Sequence, residues 1–282
     1  MTDTKDLLAR LQTTSHRLSR IGQGTWYMGE DPDRQRAEVT ALQHGIELGM
    51  SLIDSAEMYA DGGAEKVVGK AIAGRRDQVF LVSKVYPHNA SFKGIPAACE
   101  RSLKRLGTDH IDLYLLHWRG QYPLGETVEA FERLRSEGKI GRWGVSNFDV
   151  DDLRELYQVS AECAVNQVLY NPSQRGIEFD LLPWSQQRQL PTMAYCPLAQ
   201  AGRLLKHPVL TEIAERHGAT PAQVSLAWVI RQESVIAIPK AVDLEHVRLN
   251  AAAANLVLSS EDLRAIDRAF APPTRKQHLS MV

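Results

Sequence analysis

Four ionisable side chains lie at or near the ends of short apolar runs, and their types suit proton transfer to an oxygen. Asp54 lies in "MSLIDS", Lys84 in "VFLVSKV" and His117 in "IDLYLLH", while Tyr59 follows Asp54 in a glycine-rich loop. A tyrosine with a pKa of about 10 is a weak acid at neutral pH, so it needs a neighbouring cation. An aspartate can hold that lysine, and a histidine can donate to a carbonyl oxygen. The set suits carbonyl reduction, with hydride from a cofactor because no side chain supplies one.

Each of these residues also has an ordinary structural interpretation. A strand-end aspartate often caps a helix, a lysine is usually solvated, and a histidine is often a hydrogen-bonded structural group. Their grouping favours chemistry, because ionisable groups are buried together only when they pair with one another. Lys84 leaves a second reaction open, that of a Schiff-base lyase or aldolase with the amine as nucleophile. An ion pair with Asp54 would keep the lysine charged and oppose that reaction.

The elements that must position these residues are short apolar runs that alternate with amphipathic stretches. The predicted strands occupy residues 21–26, 50–55, 79–85, 111–117, 142–147, 164–170, 192–197 and 235–240. Eight buried strands alternating with helices predict an α/β fold, a (β/α)₈ TIM barrel. No G-x-G-x-x-G follows a strand, which counts against a Rossmann fold.

We expect one domain over residues 1–282. An N-terminal segment, 1–20, precedes the barrel, with a helix predicted in the stretch 6–17, and residues 259–282 form the final helix and a short tail. In such a barrel the carboxyl ends of the strands meet at one mouth, where active sites form. The residues predicted at that mouth are Trp26, Asp54, Lys84, His117, Asn147, Gln167 and Tyr195.

Composition limits the partners of the chain. Its 33 basic and 34 acidic residues give a net charge of −1, which does not draw it to nucleic acid or an anionic membrane. Three cysteines without metal-type spacing predict neither a disulfide framework nor a metal site. The N-terminus lacks the apolar core of a signal peptide. We therefore expect a cytoplasmic monomer that acts on a small molecule.

The runs "LIDSAEMY", "VSKV", "LLHW", "WGVSNF", "NQVLY", "AYCPLAQ" and "IPKA" together resemble the aldo-keto reductases, in that order along nearly the whole chain. The stretches "GTWYMGED" and "AYCPLAQAGRL" are most similar to the bacterial branch associated with methylglyoxal reduction. The resemblance implies reduction of small aldehydes, with methylglyoxal, other 2-oxoaldehydes and aromatic aldehydes as candidates. It also implies that Tyr59 is the general acid, that Lys84 and Asp54 tune it, and that His117 orients the carbonyl.

The resemblance further implies a nicotinamide cofactor extended across the barrel mouth. Its implied contacts are Gly24, Thr25, Trp26, Asp54, Ser146, Asn147, Gln167, Tyr195, Cys196, Leu198, Gln200, Lys240, His246 and Asn250. Lys240 matches the lysine that grips the 2′-phosphate, whereas His246 stands where an arginine is common and has no bidentate fork. Arg248 could compensate for His246 if it points inward, but residues two apart on a helix do not share a face, which favours a solvated helix residue. We therefore predict a preference for NADP(H), with weaker discrimination against NAD(H) than arginine-bearing members show.

The substrate side is predicted to be aromatic and partly apolar, which suits a small aldehyde with little charge. Its predicted lining is Trp26, Tyr59, Tyr86, His117, Trp118 and Phe148. Ordinary core packing is the alternative for Phe148, and also for the cofactor contact Tyr195. The short loop "RGQYPLGET" and the brief tail predict an open site. An alternative of another class is a nicotinamide-binding regulatory module with little turnover, although all four catalytic residue types are present.

Overall fold

Eight parallel strands follow one another in chain order around the sheet of the computed structural model, which describes residue 11 and residues 18–282. The strands are β1 (Gln23–Gly24), β2 (Leu52–Asp54), β3 (Phe80–Val85), β4 (Ile111–Leu116), β5 (Ile140–Ser146), β6 (Asn166–Leu169), β7 (Thr192–Tyr195) and β8 (Val235–Ala237). All lie inside their predicted runs except β5, which begins earlier because Ile140 already pairs with Ile111 of β4. The prediction of a parallel eight-stranded α/β barrel is confirmed.

Helices follow the strands on the outside of the barrel. They are α1 (Gln35–Glu47), α2 (Gly63–Ile72), α3 (Gly94–Leu106), α4 (Leu124–Ser136), α5 (Val150–Val159), α6 (Leu181–Gln187), α7 (Pro208–His217), α8 (Pro221–Val229), α9 (Leu244–Ala252) and α10 (Ser260–Ala269). Side-chain caps start several of them. Ser259 and Asp262, for example, form a reciprocal capping box at the start of α10. Within residue 11 and residues 18–282, no helix has the length and apolar character needed to cross a bilayer.

Backbone hydrogen bonds between the first and last strands close the barrel. Gly22 N donates to Ala237 O at 2.8 Å, and Gly24 N donates to Pro239 O at 2.9 Å. A Cβ at position 24 would lie 2.7 Å from the Ile238 carbonyl oxygen, so this approach requires a glycine. Closure brings the carboxyl ends of β1 and β8 together, and with them the loops that follow both strands.

Alternation along the strands separates two apolar cores. Leu113 and Leu115 of β4 point into the barrel, whereas the intervening Tyr114 packs in the layer between strands and helices. Leu11 is fully buried in the barrel-interior cluster. The rest of the helix predicted over 6–17 lies outside the described residues. Polar side chains such as Asp54 and Gln167 line the mouth at the carboxyl ends of the strands.

Candidate active site

Lys84 is the centre of a buried hydrogen-bonded group at the barrel mouth. Its Nζ donates to Asp54 Oδ2 at 2.7 Å, to the Ser55 carbonyl at 2.8 Å and to Tyr59 Oη at 3.2 Å. Asp54 ends β2 and pairs with Val82, so Lys84 lies two residues further along β3 on the same face. An ammonium has three donors, and all three are used here. The side chain of Lys84 has no exposed surface.

Asp54 ties four strands of the barrel together. Its Oδ2 accepts a hydrogen bond from Lys84 Nζ of β3, and its Oδ1 accepts one from Gln167 Nε2 of β6 at 2.7 Å. Its carbonyl oxygen accepts from Thr25 Oγ1, which follows β1, at 2.9 Å. Such partners are what a side chain with 3% exposure requires, because a buried charge without them is costly. The sequence prediction had assigned Gln167 to the cofactor, and its bond to Asp54 was not foreseen.

The loop after β2 turns sharply to bring Tyr59 back over Lys84. Gly62 has a φ of +81°, and a Cβ there would lie 2.3 Å from Arg105 Nε, so the turn needs a glycine at this position. Glu57, within the same loop, accepts hydrogen bonds from Tyr86 N at 2.8 Å and Asn89 Nδ2 at 2.9 Å. The loop is thereby fastened to the segment after β3, the strand that carries Lys84.

Burial dominates the ionisation of Tyr59 and Lys84. It raises the pKa of Tyr59 well above its usual 10.0, and the negative charge of Asp54 raises it further. Lys84 contacts the tyrosine through the hydrogen bond to its Oη, and its role in tuning Tyr59 stays a prediction. Burial also lowers the pKa of Lys84, while Asp54 opposes that shift. Tyr59 thus holds its proton at neutral pH.

His117 follows β4 and lines the cavity as a neutral imidazole. Burial lowers its pKa well below 6.5, and the positive charge of Lys84 lowers it further. Its ring packs edge-on against Tyr59, with 5.8 Å between ring centroids. Its Nδ1 is buried and has no hydrogen-bond partner among residue 11 and residues 18–282. We therefore place the single ring proton on Nε2, where it can be donated to a ligand oxygen.

We expect His117 to stay neutral as the pH falls through 6.5, the usual histidine value. A folded-state pKa below the unfolded one means that the unfolded chain binds the proton first, so stability falls as the pH drops below about 6.5. NMR of ¹³C-labelled histidine ring carbons between about pH 5 and 8 checks this. Titration of His117 near the usual value would contradict the burial argument.

Asp54, Tyr59 and His117 line a cavity of about 680 Å³ at the carboxyl ends of the strands, and the buried Lys84 contacts Asp54 and Tyr59. Many of the predicted site residues line it: Gly24, Thr25, Trp26, Asp54, Tyr59, His117, Trp118, Ser146, Asn147, Gln167, Tyr195, Cys196, Leu198, Gln200 and Lys240. Tyr195 Oη donates to Asn147 Oδ1 at 2.8 Å. Its ring therefore borders the cavity and is not a purely core aromatic.

Strained backbone is concentrated around this cavity. Asn147 has a φ of +58°, Cys196 of +47° and Gln200 of +55°, and all three residues line the cavity. L-residues rarely adopt this region, and such conformations cluster at ligand sites where the surrounding structure holds them. The residues with strained backbone therefore lie at the same barrel mouth as the ionisable side chains of Asp54, Tyr59 and His117.

The lining of the cavity does not include Phe148 or Tyr86, two residues predicted on the substrate side. The positive φ of Asn147 redirects the chain after β5, and Phe148 is fully buried in the core between strands and helices. Asn166 holds it there, because its Nδ2 donates to the Phe148 carbonyl at 2.8 Å. Tyr86 packs edge-on behind Trp118, with 5.0 Å between ring centroids.

The residues predicted to bind the adenosine end of the cofactor do not all line the same cavity. Lys240 lines the cavity, whereas His246 is exposed on α9. Asn250 is buried and lines a separate small cavity beside Gly22. Arg248 is exposed and donates to Glu245 at 2.8 Å, which agrees with its interpretation as a solvated helix residue.

Several cavity residues were missed from the sequence, among them Tyr27, Met58, Met281 and Val282. The last two show that the tail returns over the mouth, so the expectation of an open site needs correction. Lys276 holds this tail through Asp180 Oδ2 at 2.9 Å and through Asp149. No local pattern in the tail predicts its path, because the ion pairs involve residues far away in the chain.

Among the residues that the structure describes, no group of three or more His, Cys, Asp or Glu side chains is placed to hold a metal ion.

Comparison with known proteins identifies the class that this barrel and mouth define. The profile of the Aldo/keto reductase family matches residues 20–271. The methylglyoxal reductase YeaE of Escherichia coli K12 is 58% identical over 271 residues, 94% of this chain and 95% of the relative. The glyoxal reductase of Bacillus subtilis 168 is 36% identical over 228 residues, 80% of this chain and 81% of the relative.

A solved structure gives the same result. An aldo/keto reductase from Klebsiella pneumoniae, in complex with NADP and acetate, has a TM-score of 0.93 and 57% identity, covering 94% of this chain and 96% of that one. The chain is an oxidoreductase. It belongs to the aldo/keto reductase family, and the family and branch predicted from its motifs are confirmed.

Proposed function

We propose that this protein reduces small aldehydes and 2-oxoaldehydes such as methylglyoxal to alcohols, with NADPH as the preferred reductant. The observation that carries the proposal is Lys84 Nζ bridging Asp54 and Tyr59 at 2.7 and 3.2 Å beside the cavity. The Escherichia coli relative named a methylglyoxal reductase and the Klebsiella pneumoniae structure with NADP support it.

The source of the proton is inferred from the residues around the position of the substrate carbonyl oxygen at this mouth. Tyr59 is protonated at neutral pH and delivers its proton as negative charge develops on the carbonyl oxygen. Lys84 stabilises the resulting phenolate, and Asp54 keeps the lysine in place. Neutral His117 orients the carbonyl by donating from Nε2. When bound, the cofactor supplies the hydride.

The mouth has the groups that a nicotinamide dinucleotide requires. Gln167 uses its Nε2 on Asp54 and keeps Oε1 as an acceptor beside the cavity. Gly24 lines the same cavity, and Lys240 brings a cation to it. The volume of about 680 Å³ lies within the usual range for ligand sites.

Replacing Lys240 by methionine should lower kcat/KM for NADPH by about 10- to 100-fold, because a charged hydrogen bond to phosphate is lost. The value for NADH should change by less than about 3-fold, since NADH carries no 2′-phosphate. Steady-state kinetics with both cofactors checks this. Arg248→Met is the matched control and should leave both values unchanged, because Arg248 pairs with Glu245. Equal losses with both cofactors would contradict the assignment.

The experiment that tests the function is oxidation of NADPH with methylglyoxal and a panel of other aldehydes, repeated with NADH. Turnover of several aldehydes supports the reductase. Tight NADPH binding without turnover would favour the regulatory module instead. Borohydride trapping of a substrate on Lys84 would favour the Schiff-base lyase, which the geometry opposes because Lys84 is buried and all three of its donors are used.

Three further expectations from the sequence stay predictions. They are a single domain over residues 1–282, a monomeric state and a cytoplasmic location.

A further inference from the structure

The segment that carries Tyr59 continues through three successive residues in the left-handed conformation. Ala60, Asp61 and Gly62 have φ values of +51°, +49° and +81°. Two of the three carry a side chain, which is strained in this region, and such strain persists only where the surrounding structure holds it. Tyr59 directly precedes this turn, so the position of its hydroxyl depends on the contacts that hold the turn in place.

The guanidinium of Arg105, a residue of α3, packs against this turn. A Cβ at Gly62 would overlap the Nε, Cδ and Cζ atoms of Arg105. Arg105 Nε donates to Glu65 Oε2 at 2.6 Å, and its Nη2 lies 4.0 Å from Glu57 Oε2. Glu57 precedes Tyr59 in the chain and Glu65 follows it. Arg105 therefore connects both ends of the segment that presents Tyr59 to one helix.

Glu65 connects the same arginine to the strand that carries Lys84. The Glu65 side chain has no exposed surface, and its Oε1 accepts a hydrogen bond from Ser83 Oγ at 2.7 Å. Ser83 directly precedes Lys84 in β3. A carboxylate buried so completely needs a paired cation, which Arg105 supplies. One guanidinium thus couples the turn after Tyr59 to β3, and the two segments meet where Lys84 Nζ donates to Tyr59 Oη at 3.2 Å.

We propose that Arg105 is a positioning residue for proton transfer, which fixes Tyr59 relative to Lys84 without contacting the substrate or the cofactor. The lining of the cavity does not include Arg105. The inference rests on the proposed carbonyl reduction and deepens it. Positioning of this kind has a large effect on rate, because a displacement of about 1 Å can slow a reaction by about 10²-fold.

The test measures the single-turnover rate of NADPH oxidation at saturating methylglyoxal in two variants. Arg105→Gln keeps a donor for Glu65 but removes the cation and the planar group against Gly62, and should lower the rate by about 10- to 100-fold. Arg105→Lys keeps a cation for Glu65 and lacks only the planar fork, so the loss should be about 3- to 10-fold. The affinity for NADPH in a fluorescence titration should change by less than about 2-fold in both.

Arg101→Gln is the matched control on the same face of α3, one turn before Arg105. Arg101 Nη2 lies 3.4 Å from Glu57 Oε2, but the Arg101 side chain is 49% exposed. Exposed ion pairs contribute little, so the single-turnover rate should stay within about 2-fold of the unsubstituted protein. A loss in Arg101→Gln as large as in Arg105→Gln would overturn the particular role of Arg105.

The Tyr59→Phe background distinguishes positioning from a general structural role. If Arg105 acts through the Tyr59 hydroxyl, adding Arg105→Gln to Tyr59→Phe should change the remaining rate by less than about 2-fold. Losses that multiply would mean that Arg105 acts elsewhere in the fold and would overturn the inference. If Arg105→Gln does not fold, Arg105→Lys is compared in the same background.

Two further outcomes bear on the inference. Rates within about 2-fold of the unsubstituted protein in both Arg105 variants would overturn the positioning role and leave the proposed function intact. Absence of turnover with every aldehyde in the unsubstituted protein would overturn the proposed function, and this inference with it.

Discussion

Replacing Tyr59 by phenylalanine should lower kcat for methylglyoxal reduction by about 10²- to 10⁴-fold, the usual contribution of a positioned general acid. The change removes only Oη, the atom that accepts from Lys84 at 3.2 Å. The ring keeps its contacts with Trp26 and His117, so the walls of the cavity are preserved. Steady-state kinetics with NADPH measures the effect, and quenching of tryptophan fluorescence measures cofactor affinity, which should change by less than about 3-fold.

Tyr86→Phe is the matched control for that experiment, because Tyr86 packs behind Trp118 and does not line the cavity. It should leave kcat within about 2-fold. A loss below about 10-fold in Tyr59→Phe would mean that another group supplies the proton. Loss of cofactor binding would mean that Tyr59 has a structural role instead.

The pH dependence of the unsubstituted protein bears on the same assignment. Burial and Asp54 raise the pKa of Tyr59 well above 10.0, so the acid keeps its proton across the neutral range. His117 adds no titration near 6.5, because burial lowers its pKa. We therefore expect kcat to be nearly constant between about pH 6 and 9.

The sequence alone was sufficient to predict the site residues that lie at the carboxyl ends of strands. In a parallel barrel, neighbouring strands run in the same direction, so Asp54, Lys84 and His117 must reach the same mouth wherever the helices lie. Tyr59 needed one further assumption, that the loop turns back, and Gly62 supplies the means at a φ of +81°. These positions depend on alternation and on local turn chemistry, which are visible in a single sequence.

Two outcomes could not be predicted from apolar alternation, the burial of Phe148 and the return of the tail to the cavity. Phe148 follows β5 much as Trp118 follows β4, but the positive φ of Asn147 turns Phe148 into the core. The tail reaches the cavity because Lys276 pairs with Asp149 and Asp180, which are remote in sequence. Neither effect leaves a periodic pattern, so apolar alternation alone could not have predicted them.

Breaking the Asp54–Lys84 ion pair should lower the free energy of unfolding as well as kcat. Either Asp54→Asn or Lys84→Met leaves a buried charge without its partner, which usually costs about 3–5 kcal/mol. The two side chains are 3% and 0% exposed, so solvent cannot compensate. The double variant Asp54→Asn/Lys84→Met should be less destabilised than the sum of the single variants and equally inactive. Urea unfolding measures the free energies, and kcat with methylglyoxal measures the activity.

Lys276→Met is the control, because Lys276 pairs with Asp149 at the surface with 43% exposure and should contribute at most about 1 kcal/mol. Additive losses in the double variant would contradict a coupled pair.

The pH dependence of Asp54→Asn gives a sharper test of the same pair. Burial already lowers the pKa of Lys84 in the unsubstituted protein, and Asp54 is the largest influence that opposes this shift. Without Asp54 the folded-state pKa should fall further below that of the unfolded chain. Over the interval between the two pKa values the unfolded state binds more protons, so stability must rise with pH. The deficit of Asp54→Asn should therefore be smaller at about pH 9 than at about pH 7, and a deficit independent of pH would mean that the loss of Asp54 does not change the protonation of folded-state Lys84 over this range.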